Sequence, residues 1–121
     1  MIERRWGADG TVNYDCSGKI GLEDLMRALT ETVTDGRYAH THASIWDMRG
    51  STIGFGMEAH NQAASTFLAI LGNPDNTRRT AWVVNYKISE AIIETYYRSF
   101  DWPQEWRCFQ NIDEAKRWVL E

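Results

Sequence analysis

The sequence has few cysteines and prolines and no long apolar run. Its 121 residues include two of each. No stretch approaches the ~18 apolar residues that a membrane-spanning helix needs, and residues 1–10 lack the apolar segment of a secretory signal peptide. We therefore expect a soluble cytoplasmic protein that does not insert into membranes. Cys16 and Cys108 are then predicted to be free thiols inside strands rather than a disulfide.

A basic stripe is also missing. Thirteen Lys and Arg residues are scattered among seventeen Asp and Glu residues, which gives a net charge of −4. Proteins that bind nucleic acid need clustered basic side chains to displace counterions from the phosphates. This composition predicts that nucleic acid is not a partner.

Motifs for catalysis and for cofactor binding are absent as well. There is no P-loop lysine and no G-x-G-x-x-G, H-E-x-x-H or G-x-S-x-G segment, and nothing pairs a nucleophile with a base. His40 and His42 are spaced like metal ligands, but they precede a predicted strand whereas His60 begins the helix after it. Three-histidine coordination would have to bridge opposite edges of a parallel sheet. We predict no enzyme, no metal and no cofactor, and a partly buried, hydrogen-bonded His60.

Aromatic side chains are abundant. Six Trp and five Tyr occur in a chain that is 43% hydrophobic, and each ring can bury roughly 150–250 Å². One core without metals or disulfides is therefore feasible, and the length predicts a single domain over residues 1–121.

Hydrophobic periodicity predicts the order β-β-α-β-α-β-α-β-α. Asp9-Gly10 indicates a hairpin between the first two strands, and the helices between later strands imply parallel pairing with right-handed crossovers. The predicted fold is α/β, with a mixed, mostly parallel five-stranded sheet. The predicted strands are 2–6, 11–16, 43–48, 80–86 and 105–109, and the predicted helices are 22–34, 57–71, 88–100 and one capped by Asn111.

Finer expectations follow from the same patterns. Strands 43–48 and 81–84 should be internal because both of their faces are apolar, and Thr11, Asn13 and Asp15 should lie on a wetter face. The second helix should stop at Gly72 and Asn73-Pro74. The third helix should bury a face that includes Ile88, and Asp101-Trp102-Pro103 should break it.

Three segments, in order, resemble SpoIIAA-like (STAS-type) domains. They are residues 17–25 at the first helix, residues 45–50 (Ile-Trp-Asp-Met-Arg-Gly) in the third strand, and the closing residues 107–109 and 113–119. The resemblance implies a βα superhelix, a fold shared with CRAL-TRIO lipid-binding domains. It also implies roles such as anti-sigma-factor antagonist, stressosome-like partner module or transporter appendage. Partner-switching members are phosphorylated on a Ser in an Asp-Ser-Ser-Gly-like segment, whereas residues 50–54 here lack the Asp-Ser pair.

The candidate binding surface lies where the predicted third and fourth strands end. Ligands of open α/β sheets gather at the carboxyl ends of strands, and a Gly-, Ser- and Thr-rich loop is expected up to Gly56. Asp47 and Arg49 could instead form a local pair that fixes this loop. Phosphorylation of Ser51 or Thr52 would place charge favourably at a helix N-terminus. The surface candidates are Asp47, Arg49, Ser51, Thr52, Tyr86 and Lys87.

Two functions remain open. The first is a non-catalytic regulatory module that binds a protein partner, with a homodimer also open. The alternative, implied by the CRAL-TRIO likeness, is a carrier of a small apolar or lipid-like ligand. A deep apolar cavity would favour the carrier, whereas a flat exposed aromatic patch, such as an exposed Trp102, would favour the partner module.

Overall fold

Nine helices and strands follow the predicted order in the computed structural model, which describes residues 1–71, 78–100 and 102–121. A short 3₁₀ helix, Gly36–His40, was not predicted. The predicted stop of the second helix at residues 72–74, and Asp101, lie outside the described residues. The elements are β1 Ile2–Trp6, β2 Thr11–Ile20, α1 Leu22–Val33, β3 Ala43–Ile53, α2 Met57–Leu71, β4 Arg79–Val83, α3 Lys87–Arg98, β5 Glu105–Phe109 and α4 Ile112–Val119.

The five strands form one sheet in the order β1-β2-β3-β4-β5. β1 is antiparallel to β2, and the remaining neighbours are parallel. Gly10 closes the β1–β2 hairpin at φ 81°, a conformation that glycine adopts without steric cost. The predicted internal positions of β3 and β4 are confirmed.

Each face of the sheet carries its own core. On one face, residues of β2 and β3 pack with α1 and α3, centred on Tyr14, Trp46 and Ile93. On the other, Ile45 and Val83 pack against α4. Alternate side chains of a strand point to opposite faces, so β3 contributes to both cores.

Side-chain hydrogen bonds fix the starts of two helices, and the predicted cap Asn111 is confirmed. Asn111 Oδ1 accepts hydrogen bonds from the backbone N–H of Asp113 (2.8 Å) and of Glu114 (3.2 Å). At α1, the Gly21 N–H donates to Asp24 Oδ2 at 3.0 Å. These bonds satisfy backbone donors that have no partner within the helix and so fix where each helix begins.

β3 continues past the predicted end at Met48 to Ile53. Its last residues pair with an equally extended β2, with Gly18 opposite Ser51 and Ile20 opposite Ile53, after an irregularity between Asp15 and Ser17. The predicted loop from Gly50 was therefore wrong over its first half. Paired backbone groups keep this segment extended despite its Gly and Ser content.

Two predictions of side-chain burial were also wrong, one for a residue expected on the wetter face and one for a residue expected on a buried face. Thr11 is buried because its hydroxyl donates to Asp9 Oδ1 (2.6 Å) and its carbonyl accepts from the Gly7 N–H (2.8 Å) in the hairpin turn. Ile88 is 71% exposed, and the buried residue of α3 is Ile93. α3 is therefore rotated relative to the predicted stripe.

Candidate functional site

An apolar cavity of ≈ 160 Å³ lies between the sheet and helices α1, α2 and α3. Its floor contains three aromatic rings that are register partners across β2, β3 and β4: Tyr14, Trp46 and Trp82. Tyr14 and Trp46 stack at 3.8 Å between ring centroids, and Trp46 and Trp82 stack at 5.1 Å. We call this row the aromatic ladder.

The side of the cavity formed by α2 is lined by small residues. Ala63 and Ala64 are buried there and place only methyl groups opposite the floor, while Phe67 lies one turn further on. These side chains leave the space above the aromatic ladder unfilled.

Most polar groups of the lining are paired within the protein. Tyr14 Oη and Thr32 Oγ1 lie 2.6 Å apart, Trp82 Nε1 donates to Tyr97 Oη at 3.0 Å, and Tyr96 Oη donates to the Phe55 carbonyl. Burial raises the pKa of Tyr14 to about 12 and raises that of Tyr97 as well. These two phenols therefore stay neutral, and the charged side chains of the lining are those of Arg78 and Arg79.

Trp102 differs from the other cavity residues. Its indole Nε1 is buried and has no hydrogen-bond partner, the one such side-chain atom in the part of the chain that the structure describes. Trp102 lines the cavity between α3 and β5 and is only partly exposed. The proposal that it is an exposed contact ring at the helix break is therefore weakened.

Asp47 and Arg49 lie inside β3 rather than in a loop. Arg49 Nε donates to Asp47 Oδ1 at 2.9 Å and Nη2 donates to Oδ2 at 2.8 Å, while the Arg49 N–H also reaches Oδ1 at 3.2 Å. The side-chain bonds from Arg49 lower the pKa of Asp47 and raise that of Arg49. The interpretation of these residues as a local pair is confirmed, although the pair stabilises a strand.

Ser51 and Thr52 also lie within β3, ahead of α2, so their predicted position at a helix N-terminus was wrong. Ser51 is 7% exposed, and its hydroxyl donates to the Met48 carbonyl at 3.0 Å. Thr52 is exposed. Of the two phosphorylation candidates, only Thr52 presents its side chain to solvent.

Tyr86 and Lys87 are exposed where β4 leads into α3, with Tyr86 as the N-cap. Ile88 beside them is exposed, and so is Met57 at the start of α2. Because β3 and β4 are adjacent and parallel, both helix starts belong to the same end of the sheet. We call Met57, Tyr86, Lys87 and Ile88 the rim.

The remaining candidates have local structural roles. His60 is partly buried, with its Nδ1 3.1 Å from Asn61 Oδ1, as predicted. Cys16 and Cys108 are free thiols on β2 and β5, separated by two strands. Within residues 1–71, 78–100 and 102–121, no group of three or more His, Cys, Asp or Glu side chains is arranged to hold a metal ion. None of the helices in these ranges is both long and apolar enough to span a bilayer.

Sequence reasoning missed the cavity. The signal present in the sequence was one large aromatic residue near the middle of each of three strands, Tyr14, Trp46 and Trp82. Those rings become a continuous floor only once the strand register is known. The two alanines of α2 gave no separate indication of an opening above it.

Comparisons with known proteins support the architecture. No protein-family model matches the sequence, and neither does any curated protein. An uncharacterised DUF3478-family protein with a SpoIIAA-like fold from Shewanella loihica PV-4 is 18% identical, with a TM-score of 0.58 over 98% of this chain and 92% of that one. The anti-sigma factor antagonist SpoIIAA, in its unphosphorylated form, is 13% identical, with a TM-score of 0.61 over 98% and 97%. This chain has the SpoIIAA-like fold, as the resemblance implied.

Proposed function

We propose that this SpoIIAA-like fold serves as a non-catalytic binding protein that carries or senses a small apolar molecule in the cavity above the aromatic ladder. The observation that supports this function is the cavity itself. A deep apolar cavity was the feature expected to distinguish a ligand carrier from a module that acts only through its surface. The ligand carrier, which was the alternative function in the sequence analysis, is therefore the first candidate function.

The size of the cavity sets the scale of the ligand. An engineered protein cavity of about 150 Å³ stays dry and binds benzene, and the cavity here is comparable at ≈ 160 Å³. Aromatic pairs favour offset-stacked or edge-to-face contacts, so an aromatic ligand is suited to a cavity floored by the aromatic ladder. A ring with a short substituent fits this space, whereas a long acyl chain would need the helices to separate.

Toluene titration tests the function with a defined probe. Binding to the folded state alone raises stability through mass action, so we expect a saturable rise in Tm of a few degrees together with a calorimetric signal. Ala64→Leu places a larger side chain in the cavity and should abolish both effects without unfolding the protein. Ala69→Leu, on the exposed face of the same helix, should bind toluene as the wild type does.

The opposite results would contradict the proposal. If toluene neither raises Tm nor gives a calorimetric signal, the cavity is not a binding site for small apolar molecules. If Ala64→Leu binds toluene as well as Ala69→Leu does, the probe binds elsewhere on the protein.

A second candidate function is regulation through a protein partner at the rim. Three of the five large exposed apolar residues among those described, Met57, Tyr86 and Ile88, lie there, and clustered apolar exposure is typical of contact surfaces. The similar structure of an anti-sigma factor antagonist supports a regulatory role of this kind. The partner would be a protein and not a nucleic acid, because the chain is acidic.

Substitutions at the rim test this second function. Ile88→Ser should reduce capture of a partner by the tagged protein in extracts of its source cells, with folding unchanged because the residue is 71% exposed. Leu120→Ser is the matched control, since Leu120 is 52% exposed at the end of α4. Equal capture by both variants would contradict the rim as a partner surface.

A further inference from the structure

The stacking of the aromatic ladder limits how a ligand can contact it. We infer that the cavity selects an electron-rich aromatic ring, such as an alkylbenzene or a phenyl ether, that lies with its ring face against the ring edge of Trp46. This inference rests on the proposed function, because it names the class of ligand for the same cavity.

Both faces of the Trp46 ring are covered by its neighbours. Tyr14 stacks on one side, with 3.8 Å between ring centroids and 13° between ring planes, and Trp82 stacks on the other side at 5.1 Å and 18°. Both are register partners of Trp46, on the strands to either side of β3. Trp46 is 3% exposed and lines the cavity. What it presents to a molecule in the cavity is therefore the edge of its ring.

A ring edge and a ring face carry opposite partial charges. The face of an aromatic ring is negative and its edge is positive, so the edge of Trp46 attracts the face of a ligand ring. The attraction grows with the electron density of that face. Ala63 and Ala64 place methyl groups on the opposite side of the cavity, which suits the second face of the same ring. A ring depleted of electrons by fluorine loses the attraction, although it buries a similar apolar area.

The two cations of the lining do not oppose this preference. Arg79 Nε lies 3.0 Å from Glu105 Oε2. Arg78 donates to neutral acceptors, the Thr41 carbonyl and Tyr38 Oη at 2.9 Å each and the Tyr38 carbonyl at 3.3 Å. A positive charge attracts the negative face of a ring, so neither arginine would favour an electron-poor ligand.

Toluene and 1,3,5-trifluorobenzene test the preference. Both probes are neutral, apolar and of comparable volume, but fluorine withdraws electron density from the ring face. If apolar burial alone set the affinity, the two would bind about equally. We expect toluene to bind about 2- to 10-fold more tightly in a calorimetric titration, the ratio that the orientation-dependent part of an aromatic contact provides.

The orientation of the bound ring has a separate readout by NMR. Hydrogens that point at the face of a ring are shielded by its ring current, so the edge hydrogens of Trp46, observed with isotope-labelled tryptophan, should move upfield when toluene binds. Trp46→Leu removes the ring edge and should abolish the difference in affinity between the probes. Trp118→Phe, on the opposite face of the sheet, should retain it. If Trp46→Leu does not fold, the affinities and the resonance shift of the wild-type protein still decide the inference.

The possible failures are distinguishable. Equal binding of the two probes, or tighter binding of 1,3,5-trifluorobenzene, would overturn the preference for an electron-rich ring while leaving the cavity as a binding site. Trp46 hydrogens that do not move upfield, or a wild-type preference that persists in folded Trp46→Leu, would overturn the contact with the ring edge. Failure of both probes to bind would instead refute the proposed function.

Discussion

Asp15 and Asp47 are register partners on the parallel strands β2 and β3, and each carboxylate is held by its own arginine. Arg5 Nη2 lies 2.8 Å from Asp15 Oδ2, and Arg49 Nη2 lies 2.8 Å from Asp47 Oδ2. Like charges opposite each other would destabilise the strand pair. The two arginines offset this repulsion.

Replacing Arg49 should change the response of stability to pH. Arg49 lowers the pKa of Asp47, so the pair stabilises the fold above the unfolded-state pKa of about 3.9, and this stability is lost as pH falls through the lower folded-state pKa. Arg49→Met should reduce the free energy of unfolding at pH 7 by about 0.5–1 kcal/mol, a modest value because the arginine is 38% exposed. Urea unfolding at pH 7, 5 and 3 should then show a smaller loss on acidification than in the wild type.

Arg117→Met, at an exposed position of α4, serves as the control and should keep the wild-type pH response. If the stability of Arg49→Met responds to pH as the wild type does, Arg49 does not lower the pKa of Asp47 in the folded protein.

The two phosphorylation candidates should respond differently to a negative charge. Ser51 is 7% exposed and donates to the Met48 carbonyl, so Ser51→Glu forces a charge into a buried site and should cost about 2–5 kcal/mol. Thr52→Glu, at an exposed position, should change the free energy of unfolding by less than about 0.5 kcal/mol. Guanidinium unfolding of both variants measures the difference. Similar stability of the two would show that Ser51 is accessible in solution.

The order of helices and strands could be predicted because it depends on local periodicity. The end of β3 could not, since residues 50–53 contain Gly, Ser and Thr and remain extended only through pairing with Gly18 and Ile20 of β2. That pairing depends on residues more than thirty positions earlier in the chain. Binding-surface candidates chosen for a loop were therefore placed in a strand.

The cavity could not be predicted for a related reason. Periodicity indicates which residues of a strand share a face, but not which residues of neighbouring strands lie side by side. Trp46 pairs with both Tyr14 and Trp82 only because of the register of β2, β3 and β4. The space above them depends on which face of α2 is turned toward the sheet. Apolar residues occur around much of the circumference of this helix, so its sequence does not indicate that face.

The two thiols should be present and unreactive in the folded protein. Burial raises the pKa of Cys16 and of Cys108 to about 12, and the thiolate is the form that attacks disulfide reagents. At pH 8 we expect slow modification by a coloured disulfide reagent in buffer and rapid modification of two thiols per chain in guanidinium without reductant. Fewer than two thiols in the denatured protein would show that one or both are oxidised.

The rotation of α3 can be tested with two isoleucines on the same helix. Ile93 is 5% exposed and packs in the core that contains Tyr14 and Trp46, whereas Ile88 is 71% exposed in the first turn. Truncation of a buried isoleucine to alanine removes transfer energy and leaves a void, so Ile93→Ala should lower the free energy of unfolding by about 2–5 kcal/mol. Ile88→Ala should change it by less than about 0.5 kcal/mol, because the side chain is largely in water in both states. Urea unfolding curves give both values directly. A larger loss for Ile88→Ala than for Ile93→Ala would restore the stripe predicted from the sequence, and the side of the cavity formed by α3 would then need a different set of residues.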